Sequence, residues 1–101
     1  MEKDKHKDFT NLLRKMSKKG FYETLKFICE KAPVHYAEIL DYDLKNMIVQ
    51  SRATVTLIVR NLAKLELIKR TIVDSRPIRT VYHPTEKGLE LLRHLQAIEQ
   101  L

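Results

Sequence analysis

The chain has 101 residues, room for one domain with one small core. Its 44% hydrophobic and 32% charged residues are those of a globular protein, which excludes disorder as the default. A formal charge of +6 points to an anionic partner, with nucleic acid ahead of an anionic membrane surface and a merely Lys-rich soluble surface as the plain alternative. No apolar run approaches the ~20 residues of a membrane span, so no membrane partner is expected. The opening "MEKDKHKD" lacks the apolar centre of a secretion signal. The single cysteine, Cys29, excludes an internal disulfide framework and suits a cytoplasmic, nucleoid-associated protein.

Helical periodicity begins at "DFTNLLRKMSK", where Phe9, Leu12, Leu13 and Met16 form a narrow stripe over residues 8–18. Gly20 punctuates, as a bend or a true boundary. A second helix is predicted over 21–31, with Phe21, Leu25, Ile28 and Cys29 at turn spacing, ended by Pro33. Val34-His35-Tyr36 reads as a short extended stretch. Residues 37–43 form a short helix with Ile39, Leu40 and Leu44 toward the core. Ser51 is a good N-cap for a long helix over 51–66, whose Val55, Ile58, Val59, Leu62 and Leu65 keep the i, i+3, i+4, i+7 spacing.

Residues 68–73 then alternate as a strand does, Asp74-Ser75-Arg76-Pro77 interrupts, and Arg79-Thr80-Val81-Tyr82 resumes with β-branched and aromatic residues. The result is a basic hairpin over 68–83, carrying Lys69, Arg70, Arg76 and Arg79 against one acid, Asp74. Thr85 caps a last helix running to about residue 100, with Leu89, Leu92, Leu95 or Gln96, and Ile98 on its apolar side. The expected architecture is α+β and mostly helical, a single domain over 1–101. Short helix, long helix, hairpin is the order of a winged helix-turn-helix: helices over 8–31, the helix-turn-helix over 37–67, the wing over 68–83 and a dimerisation helix over 85–100.

From about residue 25 to residue 93 the sequence resembles the HxlR-like and MarR-like winged-helix transcription regulators. "SRATVTLIVRNLAKLELIKR" is similar to their reading helix and its exit into the wing. "VYHPTEKGLELL" resembles the phrase Y-x-L-T-x-K-G that closes their wing and opens the next helix. The sequence departs from the family in having no Trp, and in placing Leu57 and Ile58 where polar or basic residues are common. The resemblance implies a homodimeric, prokaryotic DNA-binding regulator of transcription, with double-stranded DNA and a second copy of itself as partners.

A reading helix needs outward side chains that donate to base edges and phosphates. Ser51, Arg52, Thr54, Thr56, Arg60, Asn61 and Lys64 are the candidates on the long helix. Arg52 and Thr56 lie in the N-terminal half that reaches bases, and Arg60 and Lys64 lie where phosphate contacts fall. Ser51 combines a cap with a phosphate contact. On the hairpin, Lys69, Arg70, Arg76 and Arg79 suit backbone or minor-groove contact. For dimerisation, Phe9, Leu12 and Met16 on the first helix and Leu91, Leu92, Leu95 and Ile98 on the last are the expected seam, unless the two stripes cover each other within one chain. His6, His35, His83, His94 and Cys29 have no chelating spacing, so neither a metal nor another cofactor is expected. Cys29 reads as a small core residue before a redox sensor. No nucleophile–base pair or phosphate-cradling loop is present, and the chain is not expected to be an enzyme. The rival readings are a protein-interaction module, which an outward Leu57 would suit, and an architectural protein that binds DNA without sequence preference.

Overall fold

The computed structural model describes residues 2–73 and 77–101. Arg76 and the rest of the expected hairpin tip, Asp74 and Ser75, lie outside the described residues. Among the described residues, five helices and three strands follow in order: α1 (Glu2–Met16), α2 (Phe21–Lys31), β1 (Val34–His35), α3 (Tyr36–Lys45), α4 (Arg52–Lys64), β2 (Ile68–Val73), β3 (Arg79–Pro84) and α5 (Glu86–Glu99). This is a winged helix-turn-helix, with α3 and α4 as its two helices and β2–β3 as its wing.

The elements follow from local chemistry. Gly20 marks a true boundary between α1 and α2, because it sits at φ +92° and a Cβ there would come within 2.8 Å of Ile58 Cδ1 and Val49 Cγ1. Helices α3 and α4 end in the same way, in Schellman motifs. After α3, Ile48 N donates to Asp43 O and Met47 N to Leu44 O; after α4, Leu67 N donates to Leu62 O and Glu66 N to Ala63 O. The left-handed residues of these motifs are Met47 (φ 56°) and Glu66 (φ 62°), positions where glycine is the usual choice. Ser51 caps α4 by accepting from Thr54 N at 3.2 Å, as its residue type predicts.

Strand β3 lies between β1 and β2 in an antiparallel sheet. Its register with β2 runs from Ile68 opposite Pro84 to Val73 opposite Arg79. The core gathers Phe21, Leu25 and Ile28 of α2, the inner face of α4 (Val55, Ile58, Val59, Leu62), and Ile39, Leu67, Ile68, Tyr82 and Leu92.

Several sequence expectations are corrected. α1 begins at Glu2 rather than near residue 8: the start is rich in Lys and Asp, compatible with helix, but has no apolar period to reveal it. α3 reaches Lys45, and its Leu44 is exposed instead of facing the core. On α5, Leu89 is exposed. Leu92, expected at a dimer seam, is 7% exposed and packs into the core of its own chain, because α5 lies along α2.

Candidate nucleic-acid interface

Helix α4 is held from behind by its four buried residues, and its two ends are fixed by polar contacts. At the N-terminal approach, Asp43 is fully buried. Its carboxylate Oδ2 accepts from Thr24 Oγ1 of α2 at 2.6 Å, and its carbonyl accepts from Ile48 N and Val49 N. Oδ1 of Asp43 has no hydrogen-bond partner among the described residues. Burial pushes the Asp43 carboxyl above the ordinary aspartate range; the Thr24 hydrogen bond works against this and nearby Glu23 adds to it. The pair ties the end of α3 and the following turn to α2, which sets where α4 starts.

At the C-terminal exit, the phrase Thr85-Glu86-Lys87-Gly88 acts as a clamp. Thr85 Oγ1 donates to Glu66 O at 2.6 Å and accepts from Gly88 N at 3.0 Å. Thr85 N donates to Leu67 O, and Lys87 Nζ to Leu65 O, each at 3.0 Å. Gly88 is required because a Cβ there would stand 2.0 Å from Leu67 O. This phrase, the most distinctive in the sequence, therefore joins α5 to the α4–β2 turn.

The expected contact residues separate into groups. Arg52, Arg60 and Lys64 are exposed on α4, and Lys69, Arg70 and Arg79 are exposed on the hairpin. None of these six makes an ion pair among the described residues. Arg60 and Arg70 line one cleft of about 250 Å³ between α4 and the sheet, together with Tyr36, Thr56, Ala63 and Tyr82. Side chains alternate along a strand and directly paired residues share a face. Arg70, opposite Tyr82, therefore stands on the α4 side of the hairpin. Lys69, opposite His83, and Arg79, opposite Val73, stand on the other side. The structure thus brings Arg70 together with Arg60 of α4, whereas Lys69 lines a different cleft with Ala63 at the end of α4, Glu66 and Lys87, and Arg79 lines neither.

Two threonines differ from expectation. Thr54 is half-buried and its Oγ1 lies 2.8 Å from Ser51 Oγ. Thr56 is half-buried and its Oγ1 lies 2.5 Å from the Tyr36 hydroxyl. Asn61 is also half-buried, at the side of the helix. Sequence reasoning missed Tyr36, which comes from the first residue of α3; nothing in the local pattern pairs it with a threonine twenty positions on. Cys29 is half-buried, and burial, with Glu30 beside it, pushes its thiol up to about 11. It stays protonated at neutral pH, as a packing residue does.

The geometry defines the winged-helix class: a capped helix presenting free cations beside a basic hairpin. No family model matches the chain, and no curated protein matches it. Solved structures do. It is similar to the reduced form of the transcriptional regulator YodB from Bacillus subtilis, with 18% identity over 90% of this chain and 84% of that one and a TM-score of 0.74. It is similar to a PadR-like transcription factor from Bacteroides fragilis, with 21% identity over 91% and 88% and a TM-score of 0.71. A PadR-like transcriptional regulator from Bacillus cereus shares 26% identity over 76% and 77% with a TM-score of 0.66. These likenesses establish the winged-helix regulator fold.

Proposed function

We propose that the chain is a homodimeric transcription regulator that binds double-stranded DNA, with α4 in the major groove and the hairpin on the adjoining backbone or minor groove. The observation that carries this reading is the cleft shared by Arg60 and Arg70, two exposed guanidinium groups from different elements, with no carboxylate lining it among the described residues. Arginine suits phosphate because its planar fork donates bidentately. The similar structures, two of transcriptional regulators and one of a transcription factor, point the same way. Lys69 and Arg79 serve on the outer side of the hairpin, and Arg52 at the start of α4 is the base-reading cation. Binding to a duplex is measured across a salt series. A steep fall in affinity with salt supports the reading, and salt-independent or absent binding refutes it.

The homodimer rests on α1 and α5. Phe9 is 55% and Ile98 60% exposed, with Leu13 and Leu101 also exposed and Leu12, Met16, Leu91 and Leu95 half-buried. These residues form the proposed seam, and Leu92 supports it from within the core. Phe9→Glu with Ile98→Glu places carboxylates there without counter-charge, and sedimentation is expected to show a monomer. A dimer unchanged by the pair of substitutions overturns this assignment.

A further inference from the structure

We propose that the outward stripe of α4 recognises thymine through its 5-methyl group, with Leu57 as the specificity-determining residue and Ala53 beside it. The inference rests on the DNA-binding reading above. With Val55, Ile58, Val59 and Leu62 buried, the positions diametrically opposite at about 100° per residue are 53, 57, 60 and 64. Ala53, Leu57, Arg60 and Lys64 are all exposed. The stripe is thus apolar in its N-terminal half, where a reading helix meets base edges, and cationic in its C-terminal half, where it meets backbone.

A lone exposed leucine needs no explanation. Leu57 differs in its setting. It is 53% exposed at the middle of this stripe, with Arg52 toward one end of the helix and Arg60 toward the other. The two hydroxyls that would otherwise read polar base edges are already engaged. Thr56 Oγ1 is bonded to Tyr36 of α3, a bond that ties α4 to its neighbour, and Thr54 Oγ1 is bonded to Ser51 within the cap of α4; both threonines are half-buried, whereas Leu57 is exposed. What remains in the N-terminal half is Arg52 for a guanine edge or a phosphate, and an apolar surface made of Ala53 and Leu57. In the major groove the apolar group that a base pair presents is the thymine C5-methyl. Phosphates on either side of the groove satisfy the cations, and the methyl between them meets the leucine.

The test begins with selection from random-sequence duplexes. The preferred duplex is then remade with uracil at every thymine, which keeps each hydrogen-bonding group and removes only the methyl. Affinity is expected to fall roughly three- to fourfold for each methyl contacted, the worth of one buried carbon. Leu57→Ala, checked for an intact fold by circular dichroism, is expected to bind the thymine and uracil duplexes equally. Equal binding of both duplexes by the parent overturns the inference and leaves the DNA-binding reading standing. So does a thymine preference that survives in Leu57→Ala. If the folded parent binds every duplex alike, the inference falls and the architectural reading takes its place; if it binds no duplex at all, the DNA-binding reading falls with it, and the exposed leucine belongs to a protein contact.

Discussion

At the C-terminal exit of α4, the carbonyls of Leu65, Glu66 and Leu67 accept from Lys87 Nζ, Thr85 Oγ1 and Thr85 N, whereas along the outward stripe Arg60 and Lys64 have no ion-pair partner among the described residues. The same helix is immobilised at its ends and left unsatisfied on its face. Orphan carbonyls at a helix end cost stability unless they are paired. Exposed cations cost almost nothing in water, and they lose nothing by waiting for an anionic ligand. A substitution at an end is therefore expected to change folding, and one on the face to change binding.

Gly88→Ala is the most severe way to probe the ends. A methyl group 2.0 Å from a backbone carbonyl oxygen forces α5 away from the α4–β2 turn. Overpacking of this kind costs typically ~1–3 kcal/mol, and contact with backbone rather than a flexible side chain puts this site at the upper end. Urea denaturation measures it. A loss below about 1 kcal/mol would mean that the clamp yields easily and that the contrast between ends and face is weaker than the geometry implies.

The other end is probed through pH. The Asp43 carboxyl is raised above its unfolded value, so its contribution to stability is fully present below the ordinary aspartate range and is lost as pH rises through the raised value. Asp43→Asn keeps an acceptor for Thr24 and removes the titration. Relative to the parent, the variant is expected to gain stability as pH increases from acid toward neutral, with a change smaller than that at Gly88. Parallel stability profiles for the two proteins would show that the buried carboxylate is not resisting ionisation.

Much of this division between ends and face was legible in the sequence, for definite reasons. The inner face of α4 announces itself by helical spacing, Ser51 and Thr85 by their residue type as caps, and the hairpin by alternation around Asp74–Pro77. The phrase Thr85–Gly88 was conspicuous, but the need for glycine comes from Leu67, twenty-one positions away. The left-handed turns at Met47 and Glu66 carry no glycine to signal them. Leu92 and Leu89 both belong to an apolar pattern; only the packing of α2 against α5 makes one core and the other surface. Thr56 looks like a free reader until Tyr36 reaches it from α3.

The smallest effect on folding is expected on the face, and it separates the two sides of the hairpin. Arg70→Ala and Arg79→Ala each remove an exposed cation without an ion-pair partner among the described residues, so stability is expected to move by no more than ~0.5 kcal/mol. Their effects on binding differ in kind. Arg70 shares its cleft with Arg60 and Tyr82, so a phosphate held there meets two guanidinium groups at once. Arg79 faces the opposite side and acts alone. Each lost phosphate contact makes the logarithmic salt slope shallower by about 0.9 per chain. In combination with Arg60→Ala, Arg79→Ala is expected to be additive, because the two sites share no partner. Arg70→Ala with Arg60→Ala is expected to cost less than the sum of the single losses, since either one alone already dismantles the shared site. Additivity in both pairs, measured by titration of one duplex at fixed salt, would mean that the cleft does not act as a single phosphate site. The two faces of the wing would then be equivalent.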